Sequence, residues 1–148
     1  MKSLLSVLFF LFIFNSTVAQ NSSEHKAVEK ACMKYLEGFY EGDTSKLKAS
    51  LQPSLNKFGF WKDKNSGKYK QQGHMSFNKA LEYAKGVLEK KNFPKSDAPK
   101  SVEILDIGNS IASAKVTAWW GIDYMLLSKR GNKWMIEQVI WEGPLEKR

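Results

Sequence analysis

The sequence predicts an α+β fold in which N-terminal helices pack on a curved antiparallel β-sheet. Two observations predict this fold class. Residues 24–100 carry apolar residues mainly at helical spacing, interrupted by one aromatic-rich segment that contains a turn. Residues 101–141 carry four runs of apolar and β-branched residues separated by short turn sequences, which is typical of consecutive β-hairpins. The predicted order is helices, a hairpin, a helix and four strands.

The N-terminus has the features of a secretory signal peptide. Lys2 precedes the apolar-rich run Leu4–Phe14, and small residues end at Ala19, where a signal peptidase would cut. The run is shorter than the roughly 20 residues that a membrane-spanning helix needs. We therefore expect a signal peptide over residues 1–19 and a mature domain over residues 20–148. This predicts a secreted or periplasmic protein whose mature chain does not span a membrane.

Two helices are predicted before the hairpin. The first, Glu24–Tyr40, has its apolar residues at intervals of three and four, with Gly42 at its end. Asp43 is placed to cap the second helix, Thr44–Leu51, and Pro53 follows that helix. The apolar stripe of the first helix consists of Val28, Ala31, Cys32, Tyr35, Leu36 and Phe39.

A hairpin and a third helix precede the four strands. The hairpin is predicted between Lys57 and Gln71 around the turn Asn65-Ser66-Gly67. The third helix is capped by Ser76 and has one apolar face. That face consists of Phe77, Ala80, Leu81, Ala84 and Leu88.

Four strands form the predicted meander. They are Val102–Ile107, Ile111–Ala118, Asp123–Ser128 and Trp134–Ile140. A two-residue turn at Gly131-Asn132 places Lys129 opposite Trp134 and Leu127 opposite Ile136, and strict alternation then defines the face that the helices should cover. This predicted inner face consists of Leu105, Ile107, Ala112, Ala114, Val116, Ala118, Asp123, Met125, Leu127, Trp134, Ile136, Gln138 and Ile140.

Asp123 and Gln138 are the polar side chains on this predicted inner face. A carboxylate beside apolar surface is costly unless it is hydrogen-bonded or faces a cavity that holds water. The pair therefore marks a candidate binding site. The alternative is that Asp123 reaches solvent from the Trp120-Gly121 turn and that Gln138 bonds to a backbone group.

Several segments, taken in order, resemble the nuclear transport factor two-like superfamily and, within it, the lumazine-binding (SnoaL-like) family. They are Tyr35-Leu36-Glu37-Gly38, Glu41-Gly42-Asp43, 111–116, 123–129 and 131–136. The resemblance implies a cystatin-like cone with a pocket at its open end and frequent dimers through the outer sheet face. It does not by itself imply lumazine binding. Family members often have a His-Pro pair where this chain has Gln52-Pro53, which weakens a catalytic interpretation.

The leading functional hypothesis is an exported pocket protein that binds a small, partly apolar molecule without catalysis. Aromatic side chains would form the pocket wall and polar side chains would orient the ligand. The alternative is that these aromatic residues only fill the core. The predicted ligand-binding residues are Tyr35, Phe39, Phe58, His74, Asp123, Trp134 and Gln138.

Two other function classes remain open. An isomerase- or dehydratase-type enzyme would use Asp123 or His74 as the base and Tyr35 or Gln138 as the hydrogen-bond donor. His74 lies in a loop sequence, where a histidine is usually exposed to solvent. An interaction module in the cell envelope, or a homodimer, would use the outer sheet face. That face is predicted to carry Tyr124, Leu126, Val139 and Trp141.

The charge and the residue content of the chain limit the kinds of partner, metal and cofactor that are expected. The formal net charge is +8, and lysines alternate with aromatic residues along the hairpin, a composition that can bind single-stranded nucleic acid. The export signal argues against that partner, so a solvated hairpin is expected. Cys32, the single cysteine, is expected to be a small buried residue. No metal-ligand spacing and no glycine-rich phosphate loop is present, so no metal and no cofactor is predicted. The hairpin lysines are Lys57, Lys62, Lys64, Lys68 and Lys70.

Overall fold

A computed structural model describes the backbone of residues 2–146 and the side chains of residues 22–146. Three helices and six strands follow one another along the chain. They are α1 (Lys2–Glu41), α2 (Thr44–Lys48), β1 (Leu51–Lys62), β2 (Tyr69–Gln71), α3 (Phe77–Glu89), β3 (Ser101–Ile107), β4 (Ile111–Ala118), β5 (Gly121–Arg130) and β6 (Lys133–Gly143). The predicted signal peptide, residues 1–19, lies outside the residues whose side chains are described. No helix among the described residues combines the length and apolar character that crossing a bilayer requires.

The six strands form one mixed sheet in the order β2-β1-β6-β5-β4-β3. The hairpin β1–β2 and the meander β3–β6 confirm the predicted sequence of elements. The pairing that joins them, β1 alongside β6, is parallel and was not predicted. It places the hairpin beside β6 and joins all six strands into one continuous sheet, which packs against α1. The α+β, cystatin-like fold class is therefore confirmed.

Helix α1 packs on the inner face of the sheet through the predicted apolar stripe. Every member of that stripe, from Val28 to Phe39, is buried. Cys32 is fully buried, as predicted, and burial raises the pKa of its thiol to about 12. Gly42 takes a φ of 70°, which glycine adopts readily at the end of a helix. Asp43 then caps α2 by accepting from the backbone amides of Ser45 and Lys46 at 2.8 and 3.2 Å.

Two helical details differ from the prediction. Helix α2 ends at Lys48 and β1 begins at Leu51, so Pro53 lies in an irregular part of the strand rather than after a longer helix. Ser76 caps α3 as predicted, but the third helix buries Val87 where Leu88 was expected. Leu88 is 54% exposed.

A β-bulge in β6 reverses the faces of its last residues. Lys129 pairs with Trp134 and Leu127 with Ile136, as predicted, but Leu126 then pairs with Gln138. The additional residue turns Gln138 and Ile140 to the outer face, so their predicted inner-face positions are wrong. It turns inward the two residues that were predicted to lie on the outer face, Val139 and Trp141.

A second bulge affects β3 in the same way. Ile104 pairs with Ala114, whereas Asp106 pairs with Ser113, so Leu105 has no opposite partner. Leu105 is 47% exposed, and Ile104 packs against the core in its place. The placement of Leu105 on the inner face is therefore wrong, while that of Ile107 is confirmed.

The turn between β4 and β5 differs in register but not in face. Ala118 pairs with Gly121, so the loop residues are Trp119 and Trp120. The two-residue loop Trp120-Gly121 predicted from the sequence would place Ala118 opposite Asp123, two residues from the observed register, and a shift of two leaves every side chain on its predicted face. Asp123 is consequently on the inner face, as predicted, and is fully buried.

Candidate functional site

An aromatic cavity of about 190 Å³ opens between the helices and one end of the inner sheet face. Seven of its lining side chains are aromatic and one, Lys57, is charged. Its walls come from α1, α3, β1, β6, the β4–β5 turn and the loop before α3. The lining residues are Tyr35, Phe39, Lys57, Trp61, Gly73, Met75, Tyr83, Trp119, Trp120 and Trp141.

The aromatic side chains of the cavity wall contact one another edge to face. Phe39 contacts the rings of Tyr35, Tyr83 and Trp120 edge to face, with ring centroids 5.0 to 5.9 Å apart. Trp61 and Trp141 meet in the same way at 6.2 Å. Edge-to-face pairs of this kind contribute about 0.5–1.5 kcal/mol each beyond the area they bury. These contacts between rings therefore stabilise the arrangement of the side chains that form the cavity wall.

The Trp119-Trp120 turn is anchored at two points. The backbone N–H of Trp119 donates to the Tyr40 hydroxyl at 3.0 Å, and that hydroxyl donates to the carbonyl of Pro99. The indole Nε1–H of Trp120 donates to Asp123 Oδ1 at 2.8 Å. The turn thus presents two indole rings to the cavity in fixed positions.

Lys57, Tyr35 and Asp123 form a buried network at the base of the cavity. The Lys57 ammonium donates to Tyr35 Oη at 2.7 Å and to Asp123 Oδ2 at 3.4 Å. The Tyr35 hydroxyl donates to Asp123 Oδ2 at 2.5 Å. With Trp120 on Oδ1, the carboxylate accepts from three donors. The hydrogen bonds and the counter-charge offset the cost of burying this carboxylate.

Burial changes the protonation equilibria of two members of the network. It raises the pKa of the Tyr35 phenol well above its ordinary 10.0, and the negative charge of Asp123 raises it further. Burial lowers the pKa of the Lys57 ammonium below its ordinary 10.5, although Asp123 acts in the opposite direction. The site therefore favours a neutral phenol and gives the lysine more free-amine character than an exposed lysine has.

Aromatic faces also surround the Lys57 charge. Its Nζ lies 5.5 Å from the ring centre of Tyr35, 5.6 Å from that of Trp141 and 6.0 Å from that of Trp120. Cation–π attraction of this kind is worth about 2 kcal/mol or more where water is excluded. The rings therefore stabilise a positive charge at the base of the cavity.

The structure places some of the predicted site residues at this cavity. Tyr35 and Phe39 line it, as the sequence suggested. Asp123 lies behind Tyr35, where its carboxylate holds the network, and it does not reach solvent from the turn. His74 is exposed at the rim, between the lining residues Gly73 and Met75. A ligand-binding role for these residues stays a prediction.

Three predicted site residues lie away from the cavity. Phe58 pairs with Ile140 on the outer face. Gln138 is also on the outer face, because of the bulge in β6. Trp134 is buried on the inner face at the other end of the sheet, where its indole N–H donates to Glu24 at 2.7 Å. The structure therefore does not bring Asp123 and Gln138 together.

Lys57 is the charged residue of the candidate site that the sequence analysis missed. It was expected to be solvated with the other hairpin lysines, but only 6% of its surface is exposed. The alternation of side chains along β1 could have indicated that Lys57 is buried, since Leu55, Lys57 and Gly59 are buried while Asn56 is exposed. The lysine therefore shares the inner face, and the parallel pairing with β6 supplies the cover.

Residues 22–146 include no group of three or more His, Cys, Asp or Glu side chains arranged to hold a metal ion. The buried polar network at the base of the cavity consists of an ammonium, a phenol and a carboxylate. Together these groups can bind an acceptor atom of a ligand, hold a proton, or pass a proton along the network.

The sequence profile of the family described as "Putative lumazine-binding" matches residues 23–142. The chain belongs to this family. The match includes every residue that lines the aromatic cavity, and it confirms the resemblance that the sequence segments indicated. No curated protein matches the chain significantly.

Solved structures agree on the fold. A nuclear transport factor two-like protein of unknown function from Shewanella baltica is 20% identical over 81% of this chain and 93% of its own, with a TM-score of 0.61. A domain of unknown function with a cystatin-like fold from Nostoc punctiforme is 9% identical over 84% and 79%, with a TM-score of 0.55. A hexachlorocyclohexane dehydrochlorinase is 10% identical over 82% and 85%, with a TM-score of 0.50. At these identities the similarity establishes the fold alone.

Proposed function

We propose that this protein binds a small, flat, partly apolar molecule in the aromatic cavity, with the Lys57 ammonium as the polar anchor. The observation that carries this proposal is the composition of the cavity wall, seven aromatic side chains around one buried cation. Ligand pockets are typically apolar with a few convergent polar groups that fix the orientation of the ligand. The family description, which mentions lumazine, points to a flat ligand of the same kind.

The geometry of Lys57 indicates which atom of the ligand it would contact. Its ammonium carries three N–H donors, and within the described part of the chain it has two acceptors, Tyr35 and Asp123. The third donor is available to a ligand. Because Asp123 already neutralises the charge, a carbonyl oxygen is a sufficient acceptor and a carboxylate is not required.

The volume of the cavity limits the size of the ligand. Drug-sized molecules occupy pockets of about 300–1,000 Å³. The aromatic cavity, at about 190 Å³, is smaller. A molecule of one or two fused rings with a carbonyl group satisfies both the size and the chemistry of the wall.

Replacement of Tyr83 tests this proposal, because Tyr83 lines the cavity while 44% of its surface is exposed. Tyr83→Ala should therefore fold normally but lose one ring from the wall. We expect the affinity for benzamide and for lumazine to fall by about 2- to 10-fold, which corresponds to one aromatic contact. The measurement is a titration of intrinsic fluorescence, since four of the five tryptophans line the cavity.

The matched control is Leu88→Ala on the same helix. Leu88 is exposed and does not line the cavity, so this variant should bind both probes like the wild-type protein. If neither probe binds the wild-type protein, or if the two variants lose affinity equally, the aromatic cavity is not the binding site.

Proton-transfer catalysis of the isomerase or dehydratase type is the second candidate function. One observation favours it, namely that Tyr35 lines the cavity and its hydroxyl hydrogen-bonds the buried Asp123. In this alternative Asp123, or the rim residue His74, serves as the base. If Asp123 is the base, turnover should be lost in Asp123→Asn, whereas simple binding of a neutral probe should persist.

We further propose that residues 1–19 are removed on export and that the mature chain forms a homodimer through the outer sheet face. The signal sequence supports export. The exposed side chains of Tyr124, Leu126 and Ile140 support the dimer, since Tyr124 and Ile140 are directly paired and together form an apolar patch. Native mass spectrometry of the exported protein reports the cleavage site and the subunit count together. A monomer at all concentrations would contradict the dimer and the interaction module alike.

A further inference from the structure

We propose that Lys57 forms an imine with a small aromatic aldehyde or ketone, so that the aromatic cavity captures carbonyl compounds covalently and reversibly. The inference rests on the proposed function, because the carbonyl compound must first enter the cavity. Three features of the site support it. Lys57 lines the cavity, hydrogen bonds connect its ammonium to a carboxylate that can take its proton, and a fixed negative charge lies beside the product.

The first feature is the position of the amine. Among the described residues Lys57 is the only lysine that is buried, and it lines the cavity. A carbonyl compound that stacks on the surrounding rings would bring its carbonyl carbon towards Nζ. The apolar surroundings also exclude bulk water, which would otherwise favour hydrolysis of an imine.

The second feature is the proton route. Lys57 Nζ donates to Tyr35 Oη at 2.7 Å, and Tyr35 Oη donates to Asp123 Oδ2 at 2.5 Å. One concerted shift along these two hydrogen bonds leaves a neutral amine, an unchanged phenol and a protonated carboxyl group. No new charge is created inside the site, so low dielectric does not oppose the shift. Burial, which lowers the pKa of Lys57, acts in the same direction.

The chemical balance is complete without another reactant. The lone pair of the neutral amine forms a bond to the carbonyl carbon, and the π electrons of the C=O bond move to oxygen. The oxygen takes one proton from the nitrogen and one that returns from Asp123 through Tyr35. The C–O bond then breaks, water leaves, and the nitrogen lone pair forms the C=N⁺ bond. Nothing is oxidised or reduced.

The third feature is the environment of the product. The iminium nitrogen stays positively charged and the Asp123 carboxylate is restored, at the 3.4 Å separation of the present ion pair. The rings of Tyr35, Trp120 and Trp141 that now surround the ammonium would surround the iminium. The site that stabilises the resting cation therefore also stabilises the covalent product.

The test is reductive trapping with benzaldehyde and sodium cyanoborohydride at pH 7, followed by peptide mapping of the full chain. An imine at any lysine is converted to a stable benzylamine, so the rates at different lysines can be compared within one sample. We expect Lys57 to be labelled at least about tenfold faster than the exposed lysines Lys64 and Lys85, since the cavity would hold the aldehyde beside the amine and proximity contributes well over tenfold to rate. Equal or slower labelling of Lys57 would overturn the proposal.

A Tyr35→Phe variant tests the proton route. It removes the hydroxyl while keeping the ring, and general acid–base steps typically contribute about a hundredfold or more to rate, so labelling of Lys57 should slow by that factor. Its melting temperature reports whether it folds, and the comparison of lysines in the wild-type protein decides the proposal in either case. Benzamide, which has the same shape but forms no imine under these conditions, separates the outcomes. Benzamide binding without preferential labelling refutes the imine alone, whereas absence of both refutes the binding site as well.

Discussion

Asp123→Ala is expected to lower the free energy of unfolding by about 3–5 kcal/mol, because it leaves the buried Lys57 ammonium without its counter-charge. The two groups lie 3.4 Å apart, with side-chain exposures of 8% for Lys57 and 0% for Asp123. The same substitution leaves the indole of Trp120 and the hydroxyl of Tyr35 without their acceptor. Denaturation by urea, followed by fluorescence, measures the loss.

Two further variants separate the lost charge from simple truncation. Asp97→Ala removes a carboxylate from an exposed loop and should change stability by less than about 0.5 kcal/mol. The double variant Lys57→Met/Asp123→Asn removes both charges and keeps an acceptor at position 123, so it should be more stable than Asp123→Ala. If Asp123→Ala were as stable as Asp97→Ala, the ammonium would have to be hydrated and the buried network would not stabilise the fold.

Most of this fold can be predicted from the sequence because its helices and hairpins are marked by residues that lie close together in the chain. The stripe from Val28 to Phe39 repeats every three or four residues, and the turn Gly131-Asn132 fixes the register of β5 and β6 at their joined ends. Strict alternation then fails at the bulge in β6. The sequence contains a trace of that bulge, since the polar residues Glu137 and Gln138 follow each other between two apolar runs of the strand.

The bulge itself depends on contacts that alternation does not encode. Glu137 accepts from Ser128 and from Arg130, the latter at 2.6 Å, on the neighbouring strand. Those bonds hold Glu137 at the extra position and turn Trp141 towards the cavity. A prediction of the cavity wall from the sequence therefore requires the bulge to be placed first, because one extra residue exchanges the two faces.

Part of the candidate site was predictable for a similar reason. Tyr35 and Asp123 follow from helical spacing and strand parity, and both are where the sequence placed them. Lys57 lies in a lysine-rich segment, where composition favours solvent exposure, and its burial follows only once β1 is paired in parallel with β6. That pairing joins segments about eighty residues apart, so no local rule indicates it. The outcome shows that strand parity outweighs composition when a charged residue alternates with buried neighbours.

Gly59→Ala is expected to lower the free energy of unfolding by about 1–3 kcal/mol through overpacking, and to weaken probe binding at the cavity. A Cβ atom on Gly59 would overlap the carbonyl oxygen and the indole ring of Trp141 on the paired strand. A shift of the backbone at Gly59 and Trp141 costs free energy because β1 and β6 are hydrogen-bonded there. The strand and the indole of Trp141 must therefore both shift, and the indole is a wall of the cavity and one of the rings around the Lys57 charge.

Gly86→Ala is the matched control, because apart from its chain neighbours and the nearby backbone of its own helix no atom lies within 4 Å of the position its Cβ would take. Gly86 is inside α3, where alanine is favoured over glycine by about 0.5–1 kcal/mol, so this variant should be more stable than the wild-type protein and bind benzamide unchanged. Urea denaturation and fluorescence titration of the two variants give the comparison. A Gly59→Ala protein with wild-type stability and affinity would mean that Trp141 does not rest on the β1 backbone. In that case the absence of a side chain at residue 59 would not be what allows the ring to lie against the strand. The shape of the cavity would then depend on other contacts.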